Sequence, residues 1–444
     1  MHKGSFRKNT AWLLALQIYS MILSFLTGPL TARALGPELY GSLGYAESIV
    51  VIYTTIAALG MDSYIVAELL TGEKKQGKTL GTALILRLFL GAVCAFLAIG
   101  TAWLLRPDNK TVFFCTLLES TMIILQVYAV FNYWFQSNLL SKYFTLASVI
   151  ALTITALWKL WLYLNDRNAY LFALAQPVRY FIILIILIIA FRRLNPHMKF
   201  SFDKELASYF IKRGFQFLLA GIGTLIYTRI DRLMVGSLID DTSLGYYNVA
   251  VTLCALWEVI PSAIIESANP VILEHKKKSE KEYLQYYQVL LLGLTLFCSL
   301  VCLIAMPLAK PVITLLYGDA YLPSVPMFII IMWSTVFSEL GAARTIWVVA
   351  EKHEKQYKYF AYIGAVTDIL LNLLLMKYLG AVGAALATLA TEIVVFFLSP
   401  YLFKETRISN SLYFSSFKQL PLLKQIIVRN LHIFMETKVK RKKK

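Results

Sequence analysis

The sequence is poor in charge. Only 16% of its 444 residues are Asp, Glu, Lys or Arg, against about 25% in an ordinary globular domain. That leaves too little polar surface to cover a chain that is 58% apolar, which excludes a soluble enzyme. Acidic residues are scarcer still, 26 against 43 basic ones, for a net charge of +17. In a soluble chain that surplus would point to nucleic acid. Here the basic residues sit in short clusters between long apolar runs, so membrane topology accounts for them and nucleic acid is set aside as a partner. Histidine is absent from the apolar runs: His2, His197, His275, His353 and His432 all lie between or outside them, which removes imidazole as an intramembrane proton relay. Cysteine contributes five buried-type thiols (Cys94, Cys115, Cys254, Cys298, Cys302). Cys298 and Cys302 share a helix face but have no further metal ligands, so they read as soft core packing. No nucleotide-binding motif is present.

What the chain has is apolar runs of about 20 residues, the length that spans a bilayer as a helix. They fall at Thr10–Ala32, Ser42–Ala67, Leu80–Leu105, Val112–Phe135, Tyr143–Leu164 and Tyr170–Phe191. A second set falls at Phe215–Leu238, Tyr246–Leu273, Tyr287–Leu308, Val325–Ala350, Phe360–Tyr378 and Ala381–Phe403. The last two are separated only by Leu379-Gly380. The reading is an all-α polytopic membrane protein of about twelve transmembrane helices. With the amino terminus inside, the inner segments hold 31 Lys and Arg and the outer loops 6, which puts both termini in the cytoplasm. Met1–Ala32 has the basic start of a signal peptide, but its apolar stretch is too long and no small-residue cleavage site follows, so it reads as a retained first helix.

The loops are short except for residues 192–214, which part six spans from six. The expected organisation is an N-terminal bundle (1–191), a cytoplasmic linker (192–214), a C-terminal bundle (215–403) and a basic cytoplasmic tail (404–444). Ser42-Leu43-Gly44-Tyr45 recurs as Ser243-Leu244-Gly245-Tyr246, each opening the second helix of its half. Six spans per half is even, so the copies run in parallel, an arrangement of transporters with the substrate path between the halves.

At these loops the chain resembles a known group. Residues 32–41 (Ala-Arg-Ala-Leu-Gly-Pro-Glu-Leu-Tyr-Gly) resemble the first outer loop of Wzx-type polysaccharide flippases, of the multidrug/oligosaccharidyl-lipid/polysaccharide exporter superfamily. Trp134-Phe135-Gln136 also fits, with Ser137 where the family often has Gly. Asp231 to Gly236 followed by Gly245-Tyr246, Leu316 to Tyr321, and Asn372 to Leu375 followed by Gly380 to Thr388 complete the likeness, which runs from the first helix to the last. The resemblance implies two pseudo-symmetric six-helix bundles in a V, and alternating-access transport of undecaprenyl-diphosphate-linked oligosaccharides across the bacterial cytoplasmic membrane. It implies no covalent chemistry and no cofactor beyond a coupling ion, Na+ or H+. Membrane lipids, a polysaccharide polymerase and a chain-length regulator are the partners it suggests.

A glycan diphosphate crossing about 30 Å of hydrocarbon needs a polar, cationic path, and ionisable residues deep in spans are functional candidates by default. Arg87, Arg179, Arg229, Arg232 and Lys159 are the expected substrate-binding cations. Arg87 and Arg179 lie mid-span; a buried structural ion pair is the competing role. Arg229 and Arg232 share a helix face, suiting a diphosphate, although both could reach the outer headgroups. Lys159 stands between Trp158 and Trp161 and serves equally as an interfacial anchor, and Arg344 reads as an inner-surface anchor. Asp231, Asp368, Glu258 and Glu392 are the ion-coupling candidates, with Glu119, Glu266 and Glu339 the other intramembrane carboxylates. Asp231 cannot face its neighbour Arg232 and needs a partner from another helix. Gly28, Pro29 and Pro261, with Pro270, are hinge candidates, because proline removes a helical hydrogen bond. The tail, with Phe414, Phe417, Ile426, Ile427, Leu431 and Phe434 among its basic residues, is expected to lie as an amphipathic segment on the inner leaflet. A drug/cation antiporter or peptidoglycan-precursor flippase of the same superfamily, and a polytopic glycan polymerase, are the competing readings. The cations argue against the first, the span count against the second. The third lacks the large outer loop or intramembrane His/Asp site such an enzyme would show.

Overall fold

The computed structural model describes residues 6–71, 75–165 and 168–425. Lys74, Arg167, His2 and the tail from Ile426, including Ile427, Leu431 and Phe434, lie outside the described residues. Among the described residues the chain is helical throughout, without strands. Among the described residues, nine stretches are long and apolar enough to cross a membrane. Two of them hold two passes each. In α1 (Phe6–Ala58) the backbone leaves helical geometry at Gly36 (φ 71°), and in α13 (Glu354–Ile393) at Gly380 (φ 55°). The long helix α9 (Lys204–Leu238) covers the one predicted span outside those nine, so helical passes match the twelve predicted spans.

All four predicted hinge residues stay inside continuous helix. α1 runs through Gly28 and Pro29, and α10 (Asp241–Lys278) runs through Pro261 and Pro270. The breaks that do occur inside predicted spans lie elsewhere. The second span divides at Leu59-Gly60, both with positive φ (51° and 63°), before α2 (Asp62–Thr71) begins. At Gly60 an added Cβ would also press on the carbonyl of Gly214 and on Phe217, so conformation and space both require glycine. The fourth span steps at Gln126-Val127, between α4 (Lys110–Leu125) and α5 (Tyr128–Ser137). The sixth steps at Leu174, between α7 (Ala169–Ala173) and α8 (Ala175–Leu194). There Pro177 lacks the N–H that would carry the hydrogen-bond ladder back to Ala173.

By contact the chain groups into two compact units: residues 1–249 with 313–323, and residues 250–312 with 324–444. In the first, α1 packs along α3 (Gln76–Leu105), α4 and α6 (Lys142–Asn165), and α5 packs on α2, α3 and α8. An aromatic core of Trp134, Phe135, Phe191 and Phe210, each at most 1% exposed, fills the end near α2. The linker expected over residues 192–214 is shorter than that: α8 runs to Leu194, and Asp203 caps α9, which starts at Lys204, accepting hydrogen bonds from the backbone N–H groups of Glu205 and Leu206. The repeated tetrapeptides meet in this unit. A Cβ on Gly41 would strike the carbonyl of Asp241 and one on Gly245 the carbonyl of Pro37, so two small residues let the two hairpins touch backbone to backbone.

In the second unit, which holds most of α11 (Glu280–Tyr317), α12 (Ser324–Ala350) packs against α13, whose end loosens into a π turn at Val394–Leu398. α14 (Ile408–Ser416) closes the described tail. It buries Leu412 and Tyr413 against this unit and exposes Ile408 and Phe414, and Phe417, just past its end, is exposed as well.

Candidate functional site

The three helix breaks of the first unit gather polar groups at membrane depth. From Gln76 to Arg87, α3 rises about 16 Å, and from Asp62 to Thr71, α2 rises about 14 Å. Arg87 is 3% exposed and pairs with Asp62, whose side chain is 52% exposed. It also donates to Gln126 Oε1 at 3.3 Å and to the Tyr133 hydroxyl at 2.9 Å. Asp62 starts one broken helix and Gln126 ends another, so the breaks supply both partners. Tyr128 follows Gln126, lies 5.1 Å from Tyr180 between ring centroids, and is within electrostatic reach of both Arg87 and Arg179. Of the two competing roles for Arg87, the ion pair is therefore present.

Beside this cluster is a small cavity of about 70 Å³, lined by Ser24, Thr27, Thr155, Lys159, Gln176 and Arg179 among others. Gln176 and Arg179 reach it because the step at Leu174 starts α8 there. Lys159 feels the charges of Glu47, Glu119 and Arg179, and Arg229 those of Arg232 and Glu47. Lys159 thus lines a polar cavity rather than standing only as an interfacial anchor. The Arg179 Nε and the Glu119 Oε2 are buried with no hydrogen-bond partner among the described residues. Four expected substrate-binding cations (Lys159, Arg179, Arg229, Arg232) thus belong to one electrostatic neighbourhood, and Arg87 adjoins it.

Asp231 accepts a hydrogen bond from the Tyr247 hydroxyl at 2.8 Å, a partner from another helix as its position requires. Nearby, Asp241 accepts from Ser42 Oγ (2.8 Å), Asn109 Nδ2 (2.6 Å) and Arg106 Nη2 (2.9 Å). Arg106 also donates to the Gly236 carbonyl and lies over the Tyr45 ring. Arg33 donates to the carbonyls of Thr314 and Leu315, and the Tyr321 hydroxyl to that of Ala32.

In the second unit Asp368 is fully buried and accepts from Asn372 Nδ2 (3.0 Å) and Thr391 Oγ1 (3.4 Å). Glu258 lies within electrostatic reach of Glu339, which Ser262 contacts at 3.3 Å. Glu392 is within reach of Tyr357. Arg344 is not a surface anchor. It is 2% exposed, donates to the Phe396 carbonyl at 2.7 Å and lies 4.2 Å over the Phe396 ring. It holds the carbonyl in the segment where α13 loosens.

Sequence reasoning missed Glu47, Asp62, Gln126, Gln176, Arg106 and Asp241. Glu47 and Asp62 were within reach of the same rule that flagged the others, since both lie inside the span 42–67. Gln126 and Gln176 carry no charge, and only the helix breaks mark them.

Helices sufficient for about twelve passes, pseudo-symmetric hairpins and buried cations define a polytopic transporter. A family model described as "Polysaccharide biosynthesis protein" matches residues 6–276, and the chain belongs to that family, within the multidrug/oligosaccharidyl-lipid/polysaccharide exporter superfamily. Among solved structures it is similar to the lipid II flippase MurJ in an inward closed conformation (17% identity, 94% of this chain and 92% of that one, TM-score 0.69). It is also similar to an inward-facing multidrug resistance MATE family transporter (12%, 91% and 96%, TM-score 0.66) and to the MATE multidrug transporter DinF-BH (16%, 91% and 96%, TM-score 0.61). At such identities the likeness is one of fold. No curated protein matches the sequence.

Proposed function

We propose that this protein is a flippase that moves undecaprenyl-diphosphate-linked oligosaccharide repeat units from the inner to the outer leaflet of the bacterial cytoplasmic membrane by alternating access, with both termini in the cytoplasm. The observation that carries the reading is the cationic neighbourhood of the first unit in a member of a polysaccharide biosynthesis family. Cations at membrane depth are costly, about 2.5–3.5 kcal/mol each on insertion scales, and are kept where an anion must pass. Arg87 is neutralised by Asp62, so the diphosphate falls to Arg179 and Lys159, which line the cavity, and to Arg229 and Arg232 beside them. A cationic drug would meet repulsion there.

Movement is driven by Na+ or H+ exchange at an intramembrane carboxylate. Asp231 adjoins the arginine pair and is the first candidate; Asp368, Glu258 and Glu392 follow. The tail helix α14, with its exposed Ile408 and Phe414 and with Phe417 just beyond it, lies on membrane lipid, and a polymerase and chain-length regulator consume the product. Gly28, Pro29 and Pro261 bend without breaking as the halves rock.

The test is glycan export in cells. Arg179→Ala should abolish export with membrane abundance intact. Arg179→Lys should keep part of it, since the charge survives while the planar fork is lost. Normal export by Arg179→Ala, Lys159→Ala and the double variant would assign both residues to structure.

A further inference from the structure

Asp62 is a charged side chain, more than half exposed, on a helix that begins inside a membrane span. A charge exposed to lipid at that depth is strongly disfavoured, so such groups face water or a ligand. Broken helices at membrane depth occur where the backbone is buried in protein or lines a cavity; here Gly60 packs on Gly214 and Phe217 while the Asp62 side chain stays exposed. The carboxylate is fixed: buried Arg87 pairs with it, and the Tyr133 hydroxyl, itself held by Arg87, interacts with it. Arg87 is in turn held by Gln126. What the cluster presents outward is therefore a carboxylate and not a guanidinium.

That changes the ligand chemistry. Paired with Arg87, the carboxylate offers a diphosphate no net positive charge, and being ionised it only accepts hydrogen bonds, so its ligand must be a hydrogen-bond donor. Tyr128 is within electrostatic reach of Asp62, and its ring lies 5.1 Å from that of Tyr180 and is stacked on Phe144 at 6.3 Å. A carboxylate beside aromatic rings suits a sugar, whose hydroxyls donate while its C–H faces pack on the rings.

We propose that Asp62, oriented by Arg87 and Tyr133, is a glycan subsite that accepts hydroxyl protons of a sugar near the diphosphate and so determines headgroup specificity. The inference rests on the flippase reading and divides the labour within it. Arg179 and Lys159 take the phosphates, and Asp62 takes the sugar.

The test uses the full-length protein in lipid nanodiscs and two probes, undecaprenyl diphosphate and undecaprenyl-diphosphate-N-acetylglucosamine. The wild type should bind the sugar-bearing probe more tightly. Asp62→Ala should lose about tenfold affinity for it, the scale of one hydrogen bond to a charged group, and keep its affinity for the bare diphosphate. Asp62→Asn, of the same shape and retaining one acceptor oxygen, should fall between, and it carries the test should the alanine variant fail to fold. Equal losses on both probes, or no loss on either, would overturn the subsite. Wild-type protein that binds neither probe would sink the flippase reading along with it, whereas a wild type that prefers the sugar and an Asp62→Ala variant that does so equally would sink the subsite alone.

Discussion

Single charged residues in this protein differ less in kind than in what answers them. Arg87 and Arg344 are equally buried, yet one pairs with a half-exposed carboxylate and the other with a backbone carbonyl. The sequence marked both as intramembrane cations, because a charge in an apolar run is visible in one dimension. It could not assign their partners, which come from helices far along the chain. Arg344 shows the limit well: its distance from the end of its span suggests a reach to the inner surface, and only the approach of α13 and α14 buries it. Its role is tested by stability. Arg344→Ala leaves the Phe396 carbonyl without its donor, and a lost bond from a charged donor costs about 1–3 kcal/mol. We expect a lower midpoint of thermal unfolding in detergent, with the remaining folded protein still transporting. An unchanged midpoint with transport abolished would instead make Arg344 part of the transport path.

At the scale of elements, the spans were legible and their interruptions were not. Hydropathy counts apolar residues, and Leu59-Gly60-Met61, Gln126-Val127 and Leu174 are apolar enough to pass unnoticed. Proline drew attention to Gly28-Pro29 and Pro261, where helices tolerate it, while the true breaks follow from a glycine that packs against Gly214 and from turns between short helices. The start of α9 offers a prediction with a sign. Asp203 is held below its ordinary carboxylate range, first by the backbone N–H of Leu206, and then by Lys78 at 3.5 Å and the N–H of Glu205. A carboxylate favoured in the folded state contributes stability that is complete above its unfolded pKa and is lost as pH falls through the lower folded one. Asp203→Asn should therefore unfold at a lower temperature than the wild type at neutral pH, with the gap closing only on acidification below the usual carboxylate range. A gap that is constant down to that range and beyond would rule out the charge as the source. Residue Asp203 itself was readable only as one acid in a basic segment, since the segment read as a linker and not as a helix start.

For the molecule as a whole, composition gave the class, the repeated Ser-Leu-Gly-Tyr gave the symmetry, and the motifs from Ala32 to Thr388 gave the family. The segments at the two copies also touch: Gly41, just before the first, and Gly245, within the second, let the two hairpins meet backbone to backbone. The least legible part was the division of the chain by contact. Residues 313–323 group with the first unit, tied by Arg33 and by Tyr321, which no linear pattern announces. All of this bears on one claim, that the protein carries a lipid-linked glycan diphosphate between leaflets. The most direct measurement reconstitutes the purified protein in liposomes loaded in one leaflet with fluorescent undecaprenyl-diphosphate-linked glycan and follows its appearance in the other. The account predicts leaflet exchange that needs the protein, that falls sharply in Arg179→Ala, and that an imposed H+ or Na+ gradient accelerates unless Asp231 is replaced by Asn. Exchange no faster than in protein-free liposomes, in a sample that instead extrudes a cationic dye against a gradient, would contradict it and leave a drug antiporter in its place.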